Sequence, residues 1–464
     1  MTQSTPLHRE LAPAALLSSY EALLASDLEA LGVHQGHALG ELFDLLGRCN
    51  PFYRRRGFDR RGDHDGDPFM TLAAQPLLSK DDLLADQREH PPFGTNLSCP
   101  ESHLVRLHQT SGSTGQPLLW PDSARNWEGF LESWELVLRA AGVTASDRVY
   151  VAFSFGPFIG FWGAFEAAQK LGALTLSGGA QSSEQRLDQI VAFGATVVVC
   201  TPTYALRLAE VAESRGVDLA RSAVRVTLHA GEPGASVPAV ARQLEQAWGA
   251  RCHDHAGATE VGAWGYPAPD GLFVDESRFV VELRDPEDGS IVPGHEIGPT
   301  IREGELVLTN LARPDRPVVR YRTGDLVRAC RPGLRAESDL AVGARPDARL
   351  WLPGGVLGRL DDMFVVRGVN VYPSAVDGIV RQVPAVVEYR AEVLRDRQMS
   401  ELRLRIELQP DLDDAGRRSA LEQLERRFRE ALHLRVPIEL VDAGTLPRFE
   451  LKAKRFDIRE RGDR

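Results

Sequence analysis

An alternation of short apolar runs with helical stretches between residues 140 and 232 most constrains the fold of this chain. The apolar runs predict strands, and the segments between them, which have helical apolar spacing and end in glycine, predict helices. Strands that are apolar throughout and separated by helices are typical of a buried, mainly parallel α/β sheet. The predicted strands are VYVAFSFG at 149–156, ALTLSG at 173–178, TVVVCTP at 196–202 and VRVTLHAG at 224–231.

The pattern of apolar residues and turns changes after this region. Residues 279–330 alternate strand-like runs with Gly and Pro turns and predict a β-rich subdomain, and the Arg-, Pro- and Gly-rich stretch 331–355 predicts an irregular excursion. Beyond it the pattern predicts a compact α+β domain that includes a helix at 419–432. The apolar stripe of that helix, interpreted as core packing, consists of Leu421, Leu424, Phe428 and Leu432.

A chain of 464 residues exceeds what one hydrophobic core usually organises. We therefore predict an α/β protein with two domains. The first, residues 1–360, is large, with mainly parallel sheets and the β-rich subdomain, and the second, residues 361–464, is small and α+β.

Composition narrows the functional classes. The formal net charge of −11 argues against a general nucleic-acid binder. The N-terminal residues lack a basic region followed by a long apolar run, and no apolar stretch approaches the roughly 20 residues of a membrane helix. The five cysteines are scattered and odd in number, which fits a reducing compartment. We expect a cytoplasmic protein without nucleic-acid or membrane partners, and leave a homodimer open.

A loop rich in glycine and hydroxyl side chains begins at residue 110. Glycines let backbone N–H groups turn inward, and Ser and Thr hydroxyls add donors, so such a loop suits phosphate oxygens. An ordinary Ser/Gly turn between strands is the alternative. It is not a Walker loop, because no Gly-Lys-Ser/Thr ends it. The candidate ATP-binding residues are Thr110, Ser111, Gly112, Ser113, Thr114 and Gly115.

Further motifs follow this loop in a fixed order. They are AGEPG at 230–234, HAGATE at 255–260, YRTGD at 321–325, GRLDD at 358–362, RGVNVYP at 367–373 and a late Lys452. Together with the segments 49–59 and 76–86 they resemble the adenylate-forming superfamily of acyl-CoA synthetases, and most closely its phenylacetate-CoA ligase branch. Apart from about the first 40 residues, the resemblance spans the chain.

The resemblance implies roles for residues of the large domain. Glu260 matches the magnesium carboxylate, and Thr259 lies near the nucleotide. Asp325 resembles the carboxylate that accepts hydrogen bonds from both ribose hydroxyls. In isolation either carboxylate could be an ordinary loop or turn residue. The AGEPG motif adds Gly231, Glu232 and Pro233 as ATP-binding residues.

Residues near the domain junction and in the tail complete the implied machinery. Arg359 matches an arginine that contacts ATP phosphate or ribose oxygens, and Asp361 matches the hinge about which a mobile small domain rotates. Lys452 corresponds to the lysine that bridges the substrate carboxylate and the α-phosphate. Leu451 stands where glycine usually precedes that lysine, so Lys454 remains an alternative.

The chain departs from the family pattern at two further positions. Gln116 stands where the phosphate loop commonly carries lysine, which removes one charge from the phosphate cradle. Ala256 replaces the usual aromatic residue, so adenine must find its apolar contact elsewhere, against the AGEPG backbone or His255. Cys252, His253 and Cys330 are too few for the four-ligand zinc site of some relatives, and we predict no zinc.

The resemblance also indicates an acid pocket at the end of the first predicted strand. Its aromatic wall suits an aryl or arylacetic acid, although each Phe could equally fill the core. Either histidine could polarise a substrate group or be a hydrogen-bonded core residue. The candidate pocket residues are Phe153, Phe155, Phe158, Tyr204, His229, Ala230, His255 and Gly257.

The implied reaction has two steps, with ATP, Mg²⁺ and coenzyme A as cofactor and co-substrates. The acid attacks the α-phosphate to give acyl-AMP and pyrophosphate, and rotation at Asp361 then brings Arg367, Gly368 and Asn370 toward the site, where the thiol of coenzyme A attacks. Transfer to a carrier-protein thiol or an amine is one alternative. A non-catalytic nucleotide- or acyl-binding protein is the other, motivated by Gln116, Ala256 and Leu451.

Overall fold

The computed structural model describes residues 28–58, 66–110, 116–153, 155–333, 348–366, 369–396, 399–449 and 454–460. Most of the predicted phosphate loop (111–115), Arg367, Gly368 and Lys452 lie outside these ranges, as does the side chain of Asn370. Their predicted roles therefore stay predictions. None of the helices in the described ranges combines the length and the apolar character needed to cross a membrane.

The N-terminal part consists of helices followed by a β-hairpin. The hairpin strands pair antiparallel and form a sheet of their own. The elements are α1 (Leu28–Cys49), short helical turns at Pro51–Tyr53 and Arg54–Phe58, α2 (Pro68–Ala74), α3 (Lys80–Glu89), a short turn at Glu101–His103, β1 (Leu104–Gln109) and β2 (Leu119–Ser123).

A five-stranded parallel sheet follows and confirms the α/β prediction. In sequence order its strands are β3 (Arg148–Val151), β4 (Leu174–Ser177), β5 (Val197–Cys200), β6 (Val226–His229) and β7 (Arg251–Asp254), and their order in the sheet is β4-β3-β5-β6-β7. Each predicted strand is shorter than expected, because its final residues leave the sheet at the turn. The strand β7 was not predicted, because it is an edge strand whose polar sequence RCHD carries no apolar signal.

Helices cover both faces of this sheet. Alternate residues of β5 show it, since Val197 and Val199 join one buried cluster and Val198 and Cys200 join another. The first cluster contains residues of α4 and α5, and the second contains residues of α6, α7 and α8. These helices are α4 (Ala124–Ala140), α5 (Ile159–Lys170), α6 (Ser183–Ala192), α7 (Pro202–Ser214) and α8 (Pro238–Trp248), with a short turn at Leu219–Arg221.

Two antiparallel sheets form the β-rich subdomain, which extends beyond the predicted range of 279–330, because β8, β9, β10 and β15 lie outside it. One has the order β15-β10-β9-β8 and the other β12-β11-β13-β14-β16. The predicted irregular excursion at 331–355 is wrong at its end, because β15 pairs with β10. The strands are β8 (Ala256–Ala258), β9 (Gly262–Ala268), β10 (Gly271–Val274), β11 (Phe279–Arg284), β12 (Ile291–Pro293), β13 (Arg302–Asn310), β14 (Tyr321–Ala329), β15 (Trp351–Pro353) and β16 (Val356–Arg359), with a short turn at Gly294–Glu296.

The C-terminal part has its own sheet and core. The sheet order is β18-β17-β20-β19-β22, with β21 also paired to β20. In the last helix Leu424 and Phe428 are buried and Leu421 and Leu432 are partly buried, which confirms the predicted stripe. The elements are β17 (Phe364–Val366), β18 (Val369–Val371), α9 (Pro373–Val380), β19 (Val386–Asp396), β20 (Met399–Leu408), α10 (Asp414–Leu432), β21 (Ile438–Leu440) and β22 (Phe456–Glu460).

The chain changes sheet between β16 and β17. The first ends at Arg359 and pairs with β14, and the second begins at Phe364 and pairs with β18 and β20. This change agrees with a boundary near Asp361. The division into residues 1–360 and 361–464 stays a prediction.

Candidate active site

Glu260 lies buried in the loop that links β8 to β9, with only 5% of its side chain exposed. Its Oε1 atom is 3.5 Å from the Nζ atom of Lys80, and its carboxylate lies close enough to the hydroxyl of Tyr321 to raise the pKa of that phenol. The carbonyl of Thr259 accepts a hydrogen bond of 2.9 Å from Arg313. Among the described residues, Lys80 supplies the ammonium group beside this carboxylate, whose oxygen lone pairs can also bind a hard cation.

Lys80 reaches this carboxylate because the segment before α3 runs beside the first residue of β14. Leu78 forms a parallel bridge with Tyr321, and two backbone hydrogen bonds of 2.9 and 2.8 Å flank that bridge. A reciprocal capping box between Ser79 and Asp82 then starts α3, with Lys80 as its first residue. No role was predicted for Lys80, since nothing in the sequence shows that residue 80 meets residue 260.

Two buried ion pairs fix the backbone around the site. Nη2 of Arg313 donates to both carboxylate oxygens of Asp122, at 2.6 and 2.9 Å, while Nη1 donates to the carbonyl of Thr259. Arg320 forms a bidentate pair with Glu282 through Nη2 and Nε, at 2.8 and 3.0 Å, and also donates to a carbonyl in the last turn of α2. Paired, hydrogen-bonded guanidinium groups can be buried without a large net cost. The Arg320 pair joins α2 to the strand that carries YRTGD, and the Arg313 pair joins β2 to the loop that carries Glu260.

Asp325 and Arg359 face each other across β14 and β16. Nη1 of Arg359 is 3.2 Å from the Asp325 carboxylate, and its Nε and Nη2 atoms donate to Asp361 at 2.9 and 3.1 Å. Burial alone would lower the pKa of Arg359, but the carboxylates of Asp325 and Asp361 raise it above its usual range. Gly324 has a φ of 75°, and a Cβ atom there would lie 3.0 Å from Nη2 of Arg359. The predicted ribose, phosphate and hinge residues are thus in direct contact.

Tyr321 connects this group to Glu260. Burial raises the pKa of its phenol well above the usual value, and the nearby Glu260 and Asp325 carboxylates raise it further, whereas Arg359 opposes the effect. The phenol therefore stays protonated and can donate to Glu260. Sequence analysis had used Tyr321 only as part of a motif and had not predicted this role.

The AGEPG loop is held at both ends. Gly231 adopts a φ of 95°, and Glu232 accepts a hydrogen bond of 2.9 Å from the backbone N–H of Thr203 in the first turn of α7. Asp254, at the end of β7, accepts hydrogen bonds from the backbone amides of residues 234–236 at 2.6 to 3.2 Å. A Cβ atom on Gly234 would lie 2.2 Å from Pro202, so only glycine fits there. This role of Asp254 was not predicted, since its β-strand was not predicted.

The three predicted pocket phenylalanines lie in different environments. Phe153 is buried and stacks on Phe161 at 3.6 Å, an arrangement typical of core packing. Phe155 is partly buried and makes an edge contact with Trp162 at 4.7 Å. Phe158 precedes α5 and is also partly buried. Phe155 and Phe158 keep accessible surface for a ligand, and the pocket assignment stays a prediction.

Both predicted pocket histidines are buried, and burial lowers the pKa of each to about 4. His255 packs against Trp134 in a tilted arrangement with ring centroids 4.2 Å apart, and its Nδ1 atom lies 2.7 Å from the carbonyl of Gly265. That contact requires a protonated Nδ1, so Nε2 of the neutral ring is an acceptor. In His229, Nδ1 lies 3.3 Å from the carbonyl of Cys200. Near neutral pH neither ring supplies positive charge.

The other predicted pocket residues are dispersed over the sheet edge. Tyr204 is buried in α7, and its hydroxyl lies 3.1 Å from that of Ser183 in α6. Ala230 is buried just after β6, whereas Gly257 is exposed in β8. Tyr204 therefore joins two helices through its hydroxyl, and its predicted contact with the acid stays untested.

The described ends of the phosphate loop show how the loop is closed. Thr110 and Leu118 form two hydrogen bonds, one between backbones and one from the Leu118 N–H to the Thr110 hydroxyl, each 3.0 Å long. The Thr110 hydroxyl thus closes the loop in this structure. Gln116, where relatives carry lysine, is exposed.

Among the residues in the described ranges, no group of three or more His, Cys, Asp or Glu side chains could hold a metal ion. A magnesium ion bound with a nucleotide needs fewer protein ligands, because phosphate oxygens and water complete its octahedral shell. The buried oxygen donor of Glu260 fits that type of site.

Comparison with known proteins agrees with these motifs. Residues 63–309 match the family model of the AMP-binding enzyme, and residues 368–459 match that of the AMP-binding enzyme C-terminal domain. Two similar relatives are phenylacetate-coenzyme A ligases. The one from Pseudomonas putida is 30% identical over 447 residues, 94% of each chain. The one from Escherichia coli K12 is 32% identical over 422 residues, 88% of this chain and 90% of the relative.

Solved structures of a 2-hydroxyisobutyryl-CoA ligase resemble the whole chain. Its postadenylation state, in complex with 2-HIB-AMP, gives a TM-score of 0.79 at 27% identity and covers 93% of this chain and 89% of the ligase. Its thioesterification state, with 2-HIB-AMP and CoA, gives 0.61 at the same identity and covers 96% and 90%. The resemblance inferred from the motifs is confirmed, and this chain belongs to the AMP-binding enzyme family, on its phenylacetate-CoA ligase-like branch.

Proposed function

We propose that this protein activates an aryl or arylacetic acid with MgATP and transfers the acyl group to coenzyme A. The observation that carries the proposal is the group formed by Glu260, Tyr321, Asp325 and Arg359, which joins three separate sequence motifs in one site. The phenylacetate-coenzyme A ligases, similar over about nine-tenths of the chain, confirm the reaction class, an AMP-forming acid–CoA ligase. The identity of the acid, the use of Mg²⁺ and the roles of single residues belong to the proposal.

Each described residue contributes a distinct part of nucleotide binding. Asp325 offers two carboxylate oxygens to the ribose hydroxyls, and Arg359 offers a permanent positive charge to phosphate or ribose oxygens. Glu260 would hold Mg²⁺, which supplies charge neutralisation at the phosphates. Catalysis of this kind depends mainly on positioning and on electrostatic stabilisation.

Lys80 takes a place in this scheme that the motifs did not predict. Its ammonium group lies 3.5 Å from Glu260, next to the proposed metal, and more than a third of its side chain is exposed. When Glu260 binds a cation, the ammonium is free to contact phosphate oxygens instead. Lys80 thus supplies a positive charge that the phosphate loop lacks, because Gln116 replaces its usual lysine.

The preference for an aromatic acid rests on the partly buried Phe155 and on Trp162 and Phe165, which surround it with edge contacts at 4.7 and 5.3 Å. Aromatic rings favour such offset or edge contacts with other rings. The structurally similar 2-hydroxyisobutyryl-CoA ligase, whose acid is aliphatic, provides the competing expectation.

The first test is ATP–pyrophosphate exchange with Mg²⁺ and no thiol, over phenylacetic, benzoic, cinnamic and 2-hydroxyisobutyric acids. We expect exchange that depends on an aromatic acid and is abolished by EDTA. Exchange with 2-hydroxyisobutyrate alone contradicts the aromatic assignment. If no acid of the panel supports exchange although calorimetry shows that ATP binds, the result contradicts the proposed reaction and favours the non-catalytic alternative.

The second test identifies the acceptor. Acyl-AMP formed on the enzyme is mixed with coenzyme A, with a phosphopantetheinylated carrier protein, or with an amine, and products are followed by mass spectrometry. We expect the thioester of coenzyme A. Faster transfer to the carrier protein or to the amine overturns the acceptor while it leaves the first half-reaction in place.

A further inference from the structure

Two arginines join the C-terminal part to a single helix of the N-terminal part. Arg455, at the start of the last strand, donates from Nη1 to the hydroxyl of Thr203 in the first turn of α7, at 3.2 Å. Arg448 places Nε 3.7 Å from the carboxylate of Glu210, two turns further along α7. These contacts bracket the segment 449–454, which contains Lys452.

Each arginine is positioned by a carboxylate of its own domain. Arg455 is nearly buried and forms a bidentate pair with Glu388 of β19 at 2.7 and 3.1 Å. Arg448 donates to Glu407 of β20 at 2.8 Å, and Glu407 in turn accepts hydrogen bonds from the backbone amides of Gly444 and Leu446. Because the guanidinium groups are held from behind, only their remaining donors face α7. The C-terminal part therefore fixes the positions of these donors.

The Arg455 contact continues into the nucleotide loop. The Thr203 hydroxyl accepts from Arg455, while the Thr203 backbone N–H donates to Glu232 of the AGEPG motif at 2.9 Å. A chain of hydrogen bonds therefore runs from Glu388 through Arg455 and Thr203 to a motif of the proposed ATP site. The tail and that loop therefore meet at Thr203.

We infer that Arg448 and Arg455 are positioning residues that clamp the C-terminal domain on α7 for adenylation, and that the clamp opens for thioester formation. The inference rests on the proposed function. Two observations support it: the cross-domain contacts at both ends of the Lys452 segment, and the better match of this chain to the postadenylation state than to the thioesterification state of one ligase. A contact made in only one of two domain arrangements biases the equilibrium between them.

The decisive variants lie on the N-terminal side, so that the C-terminal core is unchanged. Glu210→Lys places a second positive charge against Arg448 and leaves the Arg448–Glu407 pair intact, and it also breaks the 3.0 Å pair between Glu210 and Arg207 of the same helix. Glu213→Lys makes the same charge change at an exposed position of the helix and controls for charge, whereas Arg207→Gln removes the intrahelical pair alone and controls for that loss. Thr203→Val removes the acceptor of Arg455. Because Thr203 also adjoins the predicted acid pocket, this variant is used as a second test beside Glu210→Lys.

Two single-turnover rates are measured: formation of acyl-AMP, and transfer to coenzyme A from preformed acyl-AMP. We expect Glu210→Lys and Thr203→Val each to slow adenylation about tenfold, with thioester formation unchanged or faster. Glu213→Lys should stay within about twofold of the unmodified protein. Equal losses in both half-reactions, or unimpaired adenylation in Glu210→Lys, would overturn the clamp.

A readout without substrate separates this inference from the proposed function. Small-angle scattering of the Thr203→Val/Glu210→Lys double variant should show a larger radius of gyration than the unmodified protein and Glu213→Lys. Identical profiles contradict the clamp even where ligation proceeds normally. A larger radius together with absent pyrophosphate exchange in the unmodified protein supports the clamp and contradicts the proposed reaction instead.

Discussion

The nucleotide site within the N-terminal part and the contact made by the C-terminal tail are stabilised differently. Around Glu260 the supporting ion pairs are almost fully buried and engage both carboxylate oxygens, as between Arg313 and Asp122. Across the domains, Arg448 and Glu210 are 3.7 Å apart with 25% and 35% of their side chains exposed. Buried networks resist rearrangement, whereas a few exposed ion pairs contribute little and break readily. On the proposed function, the parts needed in both half-reactions are held by buried networks, whereas the contact that opens between them combines one partly exposed ion pair with the buried hydrogen bond from Arg455 to Thr203.

The largest effect is expected in the tail. Lys452→Ala should slow adenylation by roughly a hundredfold or more, because the lysine charge acts where negative charge develops on the α-phosphate. Thioester formation from preformed acyl-AMP should change much less. Both rates are measured by rapid quench.

Lys454→Ala is the matched control for this variant, since Lys454 is exposed two residues away. Its adenylation rate should be close to normal. The reverse result, a large loss in Lys454→Ala and a small one in Lys452→Ala, moves the role to Lys454.

A smaller but still large effect is expected at the rigid site. Glu260→Gln keeps the shape of the side chain and removes its charge. The adenylation rate should therefore fall by up to roughly a hundredfold, and a higher Mg²⁺ concentration should be needed for the half-maximal rate. Titration of the exchange rate with Mg²⁺ checks this. An unchanged Mg²⁺ dependence would exclude Glu260 as the metal carboxylate.

Lys80 should show a weaker effect of a different kind. Lys80→Met retains much of the apolar stem and removes the charge, so the KM for ATP should rise about tenfold with a smaller change in kcat. Steady-state exchange over a range of ATP concentrations measures both constants. Lys80→Arg, which keeps the charge, should recover part of the affinity, and equal defects in the two variants would indicate a packing role.

Acid should destabilise the N-terminal part through its buried histidines. His229 and His255 have a pKa of about 4 when folded, against 6.5 in a free side chain. As pH falls below 6.5 the unfolded chain binds protons first, so stability is lost between pH 6.5 and about pH 4. The loss at pH 5 is about 2 kcal/mol per histidine.

Calorimetry at pH 7.5 and pH 5 measures this loss. His255→Gln cannot take up a proton, so its melting temperature should fall less between the two pH values. An equal fall in the variant would mean that His255 is not held neutral by the fold.

Much of the fold followed from local pattern. The parallel strands were predictable because they are continuously apolar, and the stripe of α10 because it repeats at helical spacing. The strand β7 was not, since its residues Arg251 to Asp254 are polar and only pairing with β6 makes them a strand. For the same reason Asp254, which holds the AGEPG loop, escaped prediction.

The sequence by itself determined the layered α/β architecture, the order of the motifs and the types of side chain in them, because these depend on local composition and spacing. Only the tertiary structure decided that Lys80 meets Glu260, that Tyr321 lies close to it, and that Arg455 reaches Thr203. Those partners are far apart along the chain, and their distances depend on how strands and helices pack. Contacts of that kind have no local signature in a sequence.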